Sequence, residues 1–340
     1  MGIRAWAAKE AGGKLETFEY DPGPLGAEEV EIEVDYCGVC HSDLSMLDNE
    51  WGISSYPFVP GHEAIGRVVA LGDNAQHKGL KLGQRVGVGW NAGSCLHCAA
   101  CLRGEHHLCE KVQPTIAGHH GAFADRVRAH WVWTVPIPEN LDASAVGPML
   151  CGGITVFAPL LQLNVSPTAR VGVFGIGGLG HMALMFLNAW GCEVTAFTSS
   201  ASKVDEVKSL GAHRVASSRK PEEMQALAGH FDYIFVTANA SLEWNAIIAM
   251  LAPKGKLHFV GVVPEPVPVH VMQLISGQRT VSGSPTGSRS HLDCMLKFAA
   301  HHQIEPKVEH FAMSDVNKAL DHLRNGKPHY RIVLDADFAH

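Results

Sequence analysis

Four closely spaced cysteines constrain this chain more than any other feature of its sequence. Cys95, Cys98, Cys101 and Cys109 have two, two and seven residues between them. Thiolates at this spacing can reach one ion from a single loop, and four of them form the closed tetrahedral shell of a structural Zn²⁺ site. An iron–sulfur run would end in a shorter gap followed by Cys-Pro, whereas Glu110 follows the last cysteine here. The spacing therefore predicts structural zinc, and reduced thiols that bind no metal are the alternative.

A second set of candidate ligands mixes sulfur with nitrogen and is scattered along the chain. It consists of Cys40, His62 and Cys151, and each of these alone would more often be an ordinary buried side chain. Their neighbours favour a metal site, because residues 40–43 combine a thiol, an imidazole, a hydroxyl and a carboxylate, and Glu63 follows His62. Two thiolates and a neutral imidazole would balance the charge of Zn²⁺ and leave a fourth position open, as in catalytic zinc sites.

A glycine-rich turn marks a candidate dinucleotide site. Residues 175–180 read Gly-Ile-Gly-Gly-Leu-Gly, after a predicted strand at 171–174 and at the start of a predicted helix at 179–190. This is the G-x-G-x-x-G fingerprint in the context that it requires. The residues expected to surround the pyrophosphate, at the N-terminus of the helix, are Gly175, Gly177, Gly178, Leu179 and Gly180. A glycine-rich bend that serves packing alone is the alternative.

The region after the next predicted strand indicates which dinucleotide binds. An NAD site carries Asp or Glu about 20 residues after the glycines, where the acid binds the ribose 2′-hydroxyl. Here the chain reads Phe-Thr-Ser-Ser-Ala-Ser-Lys over 197–203, and the first acid is Asp205. Hydroxyls and a lysine suit a 2′-phosphate, so Ser199, Ser200 and Lys203 predict NADP(H). Serines that cap the following helix are a second interpretation, and it is compatible with the first.

Bulk composition excludes several classes of function. The chain has 340 residues, 46% hydrophobic and 18% charged, which favours two globular domains. Its net charge of -7 argues against a nucleic-acid partner. The start carries Arg4 and Lys9 and no apolar core, and the most apolar stretch, 171–190, is interrupted by glycines, so we expect neither a secretory signal nor a membrane span. Nine cysteines with tight spacing favour metal thiolates over disulfides and a cytoplasmic location.

The pattern along the chain predicts two kinds of domain. Valine and isoleucine alternate with acids over 30–35, which is typical of a half-exposed strand in a β-rich domain. From about residue 148, strands alternate with helices, which predicts a parallel, doubly wound sheet. In the tail, we expect Ser314 to cap a helix and 330–334 to form a last strand.

Together these features resemble a known family, the zinc-containing medium-chain dehydrogenases/reductases. The similarity is to their cinnamyl alcohol dehydrogenase-like branch, and there to bacterial NADPH-dependent aldehyde reductases of broad specificity. It spans nearly the whole chain and rests on Cys-Gly-Val-Cys-His-Ser-Asp-Leu at 37–44, Pro-Gly-His-Glu at 60–63, the four cysteines, Cys-Gly-Gly-Ile-Thr-Val at 151–156, the glycine turn and Tyr-Arg at 330–331. The resemblance implies an α/β fold with a β-rich GroES-like catalytic domain at 1–150 and 288–340, and a Rossmann domain at 151–287.

The family also implies a role for each residue of the candidate site. Cys40, His62 and Cys151 would bind the catalytic zinc, which Glu63 can approach. Asp43 would orient His62 through its other ring nitrogen. The remaining implied roles are substrate contact and the start of a proton relay for Ser42, pyrophosphate contact for His41, nicotinamide contact for Thr155, and 2′-phosphate contact for Ser199, Ser200 and Lys203. A homodimer is the oligomeric state that the family suggests.

Two further positions concern the substrate side of the site. Many relatives carry a histidine three residues after the Ser42 position, where this chain has Ser45, so water or a ribose hydroxyl would have to complete the proton relay. Trp51 and Trp90 are candidate walls of the substrate pocket, with ordinary core packing as an equal alternative.

The resulting hypothesis is a zinc-dependent alcohol dehydrogenase that acts as an aldehyde reductase. Zinc would polarise the carbonyl, NADPH would deliver hydride, and a primary alcohol would form reversibly. We expect two zinc ions per chain, one catalytic and one structural. A metal-independent NADPH-dependent quinone or enone reductase and a non-catalytic NADPH-binding protein are the alternatives.

Overall fold

The structure is a computed structural model that describes residues 2–199 and 204–338. The strands are β1 (Ile3–Ala7), β2 (Glu16–Tyr20), β3 (Glu29–Val39), β4 (Ala64–Leu71), β5 (Arg85–Val88), β6 (Asn91–Gly93), β7 (Gln113–Pro114), β8 (Arg126–His130), β9 (Val135–Pro136), β10 (Arg170–Phe174), β11 (Glu193–Thr198), β12 (Arg214–Ser217), β13 (Phe231–Val236), β14 (Leu251–Phe259), β15 (Thr280–Gly283), β16 (Val308–Ala312) and β17 (Arg331–Asp335). The α-helices are α1 (His41–Leu47), α2 (Ala99–Leu102), α3 (Ala143–Val146), α4 (Gly152–Gln162), α5 (Gly180–Trp190), α6 (Val204–Ser209), α7 (Pro221–Gln225), α8 (Trp244–Ala249), α9 (Val271–Gly277), α10 (Arg289–His302) and α11 (Val316–Arg324). The chain divides into two compact units: the first runs up to Ile154 and resumes at Thr286, and the second spans Thr155–Pro285.

A seven-stranded sheet organises the first unit. Its order is β16-β17-β3-β4-β5-β9, and β8 also pairs with β3. The neighbours are antiparallel except β16 and β17. Val30, Ile32 and Val34 of β3 are buried in the core of this unit. Because β3 leads directly into α1, it places Cys40 at the end of a strand that is held on both sides.

One residue of β3 departs from the predicted half-exposed pattern. Glu31 is only 7% exposed. Arg126 Nη1 donates to its Oε1 at 3.0 Å, and Arg128 Nε donates to its Oε2 at 2.8 Å, both from the neighbouring β8. The pairing with β8 covers this face of the strand, and the two guanidinium groups compensate the buried carboxylate. Alternation in the sequence therefore indicated the strand, but the prediction of an exposed acidic face was wrong at Glu31.

The tail of the chain completes the same sheet. β17 pairs antiparallel with β3, and Ile332 lies opposite Val39, so the predicted last strand is present. The N-cap of α11 is Asp315, after a 3₁₀ turn at Met313–Asp315. Ser314 Oγ instead donates to Asp337 Oδ2 at 2.5 Å. The prediction that Ser314 caps the helix is wrong, because its hydroxyl pairs with a segment later in the chain.

The second unit is built on six parallel strands. Their order is β12-β11-β10-β13-β14-β15, and each neighbouring pair is parallel. The chain enters the sheet at β10, proceeds outward to β12, and then resumes beside β10 with β13. This order is that of a doubly wound dinucleotide-binding sheet, which confirms the predicted α/β class. Phe174 and Phe197 stack in its core, with ring centroids 4.1 Å apart.

Within residues 2–199 and 204–338, no single helix has the length and apolar character needed to cross a membrane, and one consecutive pair, Ala143–Leu150 with Gly152–Gln162, passes the same test only when taken together.

Candidate active site

Helix α1 carries predicted site residues in consecutive positions. Cys40 is its N-cap, and Asp43 in the first turn accepts a hydrogen bond from the Cys40 amide at 2.9 Å. The other carboxylate oxygen of Asp43 accepts from the Gly61 amide and from His62 Nδ1, each at 2.9 Å. A carboxylate only accepts hydrogen bonds, so Nδ1 of His62 carries the proton. Asp43, which is fully buried, thereby ties the start of the helix to the segment that contains His62.

The other ring nitrogen of His62 has no hydrogen-bond partner among the described residues. Nε2 is buried, and one ligand atom from each of Cys40, His62, Glu63 and Cys151 lies within 4.8 Å of all the others. We call these four residues the mixed cluster. Because Nδ1 is committed to Asp43, Nε2 is the nitrogen that can give a lone pair to a metal ion once its proton is displaced, as in zinc sites where a carboxylate orients the histidine ligand. Two sulfurs, an imidazole nitrogen and a nearby carboxylate fit Zn²⁺.

The ionisable groups of the mixed cluster influence one another. The pKa of Cys40 lies well below the usual thiol value because Cys151 lies beside it, although burial acts in the opposite direction. The pKa of Cys151 is raised well above that value by Cys40 and by burial. Burial lowers the pKa of His62, but the Asp43 carboxylate more than offsets this and raises it well above its usual value. A metal ion bound here would displace the protons of Cys151 and His62, so metal binding is coupled to proton release.

An arginine to which sequence reasoning assigned no role is paired with Glu63. Arg331 Nη2 donates to Glu63 Oε1 at 2.5 Å and Oε2 at 2.7 Å, and to the carbonyl oxygen of Val39 at 3.2 Å. Burial raises the pKa of Glu63 to about 7, although the Arg331 charge acts in the opposite direction. The sequence does contain a signal for this ion pair, because Arg331 directly precedes the apolar run Ile-Val-Leu at 332–334. A charged residue beside a buried strand is itself partly or fully buried, and a buried charge needs a partner.

The four closely spaced cysteines form a second cluster, which we call the four-cysteine cluster. Their sulfurs lie within 4.8 Å of one another, and Cys95 Sγ is 3.5 Å from Cys109 Sγ and 4.0 Å from Cys101 Sγ. The amides of Cys98 and Lys111 donate to the sulfurs of Cys95 and Cys109, each at 3.3 Å. Four thiols that converge in this way fit a closed zinc shell, and all nine cysteines of the chain are free.

The glycine turn of the second unit lies between the end of β10 and the start of α5. Gly175 has φ of +92°, and a Cβ there would lie 2.8 Å from Ala238. A Cβ at Gly180 would lie 2.0 Å from the carbonyl oxygen of Gly175, whereas one at Gly177 would meet nothing within 4 Å. Gly175 and Gly180 are therefore required by the turn and its packing, and Gly177 leaves the backbone open to a ligand. This is the arrangement that a pyrophosphate needs.

Aromatic rings line one side of the mixed cluster. The ring centroid of Trp90 lies 5.0 Å from that of His62, with the planes nearly perpendicular at 88°. Trp51 packs edge-on against Trp90 at 5.9 Å and is 38% exposed. The two tryptophans therefore form a continuous apolar path from a candidate metal ligand to the surface of the first unit.

The remaining predicted residues lie in different environments. Ser42 Oγ is 3.7 Å from Cys40 Sγ, His41 is exposed, and Ser45 is buried. In the second unit, Thr155 is buried in α4, and Ser199 is exposed immediately after β11. Ser200 and Lys203 lie outside the described residues, so their predicted contact with a 2′-phosphate stays a prediction.

Comparison with known proteins identifies the family of the chain. The profile of the "Alcohol dehydrogenase GroES-like domain" family matches residues 26–139, and that of the "Zinc-binding dehydrogenase" family matches residues 178–301. The chain is 56% identical to "Aldehyde reductase AdhA" of Synechocystis sp. over 98% of both chains. Its structure matches a cinnamyl alcohol dehydrogenase (SbCAD4) of Sorghum bicolor with a TM-score of 0.94 and 33% identity over 100% of both chains. It also matches the Helicobacter pylori enzyme CAD, solved in complex with NADP(H), with a TM-score of 0.90 and 28% identity over 98% of both chains. The chain therefore belongs to the zinc-containing medium-chain dehydrogenase/reductase family, in its cinnamyl alcohol dehydrogenase-like branch.

Proposed function

We propose that this enzyme reduces aldehydes to primary alcohols with NADPH at a catalytic zinc held by Cys40, His62 and Cys151. The observation that carries the proposal is Nε2 of His62, which is buried in the mixed cluster without a hydrogen-bond partner in the described structure. A buried polar atom without a partner is costly unless something accepts its lone pair, and a metal ion does so. Aldehyde, NADPH and a proton give alcohol and NADP⁺, and the reverse reaction uses the same site.

The residues of the first unit handle the proton in this reaction. When bound, zinc supplies a Lewis acid for the carbonyl oxygen, and NADPH supplies hydride for the carbonyl carbon. Ser42 donates the proton to the substrate oxygen. Its hydroxyl oxygen lies 3.7 Å from the sulfur of Cys40, a zinc ligand in this proposal, and is therefore close to the metal position where the substrate would bind. Asp43 keeps His62 in the tautomer that leaves Nε2 available. Because Ser45 is a neutral hydroxyl where many relatives have histidine, water or a ribose hydroxyl returns the proton to Ser42.

The choice of NADPH is supported by the end of β11. Ser199 is exposed there, and no acid occurs between Glu193 and Asp205 to bind a ribose 2′-hydroxyl. The relative from Helicobacter pylori was solved with NADP(H). In this proposal, Ser199, Ser200 and Lys203 bind the 2′-phosphate. The glycine turn and His41 bind the pyrophosphate, and Thr155 contacts the nicotinamide.

The preference for NADPH is tested by substitution of Lys203. Lys203→Ala should lower kcat/KM for NADPH about tenfold and leave that for NADH unchanged, because only NADPH carries the 2′-phosphate that the lysine would pair with. Equal use of both cofactors by the unaltered enzyme would contradict the choice of NADPH without affecting the zinc assignment.

The aromatic path at Trp90 and Trp51 supports aromatic and long aliphatic aldehydes as the preferred substrates. The two rings offer apolar surface beside the mixed cluster, and each aromatic contact contributes about 0.5–1.5 kcal/mol beyond its area burial. Trp90→Ala should therefore raise KM for benzaldehyde about tenfold and change KM for acetaldehyde little. An equal change for both substrates would assign Trp90 to packing alone.

The function is tested by a panel of aldehydes with NADPH and with NADH, combined with elemental analysis for zinc. We expect two zinc ions per chain, one in each cluster, and loss of aldehyde reduction when a chelator removes the ion of the mixed cluster. Activity that survives removal of both ions, with quinones or enones as substrates, would favour a metal-independent reductase. NADPH and zinc binding without turnover of any aldehyde would favour a non-catalytic protein.

Two features of the chain support further parts of the proposal. In the second unit, α9 exposes Val271, Met272 and Ile275, each at 59% or more, and β15 lies at the edge of its sheet. Such an edge and apolar face suit a second copy of the chain. The enzyme is therefore a homodimer in this proposal. Light scattering would detect the dimer, and Ile275→Asp would weaken it.

We place the enzyme in the cytoplasm, where free thiols remain reduced.

A further inference from the structure

One member of the mixed cluster, Glu63, lies in a buried ion pair and is not needed to complete a three-ligand zinc site. Glu63 and Arg331 have side-chain exposures of 0% and 5%. One guanidinium nitrogen, Nη2, reaches both carboxylate oxygens and the carbonyl oxygen of Val39, the residue before Cys40. Cys40, His62 and Cys151 already supply the three protein ligands that are typical of a catalytic site. The carboxylate is therefore a fourth potential ligand that is held by another partner.

The fold makes room for the carboxylate on the arginine side. A Cβ at Gly38 would lie 2.0 Å from Glu63 Oε2, so the carboxylate occupies space that a larger residue would fill. The amide of Gly38 also donates to the backbone carbonyl of Glu63 at 3.0 Å. Gly38 lies in β3 opposite Val333 of β17, two residues after Arg331. The pairing of these two strands thus builds the pocket in which Glu63 meets Arg331.

We propose that Arg331 is a positioning residue that holds Glu63 out of the zinc coordination shell and so keeps the fourth position open for substrate. The inference rests on the proposed function, because it requires zinc in the mixed cluster. Carboxylate oxygens are good zinc ligands, and a site with four protein ligands is closed and structural, not catalytic. Without Arg331, the buried Glu63 charge has the metal as its nearest compensating charge. The carboxylate then takes the fourth position, and the site becomes closed like the four-cysteine cluster.

The experiment uses the full-length enzyme and measures the metal directly. Arg331→Met and, as a milder variant, Arg331→Gln are compared with Glu63→Gln and with the double variant Glu63→Gln/Arg331→Met. Zinc release to a colorimetric chelator is timed for each protein. Imidazole, a neutral single-nitrogen ligand, is then titrated into enzyme with Co²⁺ in the mixed cluster, where the visible d–d bands report whether the fourth position accepts it.

The expected results differ among the variants. Arg331→Met and Arg331→Gln should release zinc at least about tenfold more slowly, and bind imidazole at least about tenfold more weakly, the size of effect that outer-shell partners have on metal sites. The double variant should recover both properties, because glutamine is a poor zinc ligand. Glu63→Gln alone should bind imidazole within about twofold of the unaltered enzyme, since the proposal has Arg331 hold Glu63 outside the shell in that enzyme; this variant tests the inference even where the arginine variants fail to fold.

Two results would overturn the inference. The first is imidazole binding that is undiminished in the Arg331 variants, even with slower zinc release, because the loss of a positive charge alone would explain slower release. The second is much tighter imidazole binding by Glu63→Gln, because Glu63 would then already occupy the fourth position.

A matched control separates this role from ordinary structural support. Arg128 forms a comparable ion pair with Glu31 in the same sheet, with side-chain exposures of 13% and 10%. Arg128→Met should destabilise the fold while leaving zinc release and imidazole binding unchanged, and changes in both would overturn the specific role of Arg331. If the unaltered enzyme retains no metal in the mixed cluster, the proposed function fails, and the failure is distinguishable from that of the inference.

Discussion

The two clusters of candidate metal ligands lie in the same unit but are assembled in different ways. The four-cysteine cluster draws its candidate ligands from 95–109, and backbone amides and thiols donate hydrogen bonds to its sulfurs. The mixed cluster draws its ligands from positions 40 to 151 and is surrounded by charged side chains, Asp43 and Arg331. A local set of four thiols fits a closed site that would hold one loop together. A dispersed set needs neighbouring charges that decide which ligands bind and which position stays free.

The largest contrast is expected from removing one ligand of the mixed cluster. Cys40→Ala should lower kcat by at least about 1000-fold, because the Lewis acid supplies several kcal/mol of transition-state stabilisation. NADPH binding, measured by fluorescence titration, should change little. Cys37→Ala is the control, since Cys37 is a buried thiol that is near in sequence but belongs to neither cluster. Substantial turnover by Cys40→Ala would contradict the assignment of the mixed cluster as the catalytic site.

Loss of a ligand from the four-cysteine cluster should act on stability. Cys95→Ser should lose one zinc per chain and about 3 kcal/mol of stability, which lowers the melting temperature by several degrees, because structural zinc contributes directly to folding. The zinc of the mixed cluster should remain, and activity per folded molecule should persist. The exposed Cys294 offers a control, since Cys294→Ser should change neither property. Selective loss of activity without loss of stability would reverse the assignment of the two clusters.

The role of Asp43 sharpens the comparison, because within the described part of the chain no carboxylate hydrogen-bonds to the four-cysteine cluster. Asp43→Asn should weaken zinc binding in the mixed cluster about 10- to 100-fold, since the aspartate fixes the His62 tautomer. Zinc in the four-cysteine cluster should be retained with unchanged affinity. Competition with a chelator, followed by elemental analysis, measures both sites in one sample. Equal weakening of the two sites would point to general unfolding.

The smallest effect concerns acid stability near the four-cysteine cluster. Burial, followed by His291, lowers the pKa of His107 to about 4, whereas an unfolded histidine titrates near about 6.5. As pH falls below about 6.5, His107 of the unfolded chain binds a proton, whereas His107 of the folded protein stays neutral. The free energy of unfolding therefore decreases by at most about 2 kcal/mol between pH 7 and pH 5. His107→Gln should flatten this part of the profile in urea unfolding, whereas His301→Gln, at an exposed site, should not. Identical profiles for all three proteins would contradict the prediction.

Sequence reasoning reached the features that are local or periodic. The four cysteines, the glycine turn and the alternation of strands and helices each depend on neighbours in the chain, and the fold class followed from them. Glu31, Ser314 and Arg331 were misjudged or left without a role for one physical reason. Their partners are on other strands or beyond the next element, at Arg126 and Arg128, at Asp337 and at Glu63. The spacing of residues in a single sequence does not predict which distant polar or charged side chain will pair with a buried residue.

The pairing of β17 with β3 has a consequence for the order in which the protein is made. All four residues of the mixed cluster have been synthesised once Cys151 is added, but Arg331 follows 180 residues later. A nascent chain in this interval holds every candidate ligand, including a Glu63 that lacks its guanidinium partner, and the edge of β3 that β17 will cover is still unpaired. Metal captured during translation would therefore meet a different coordination sphere from metal delivered to the finished enzyme.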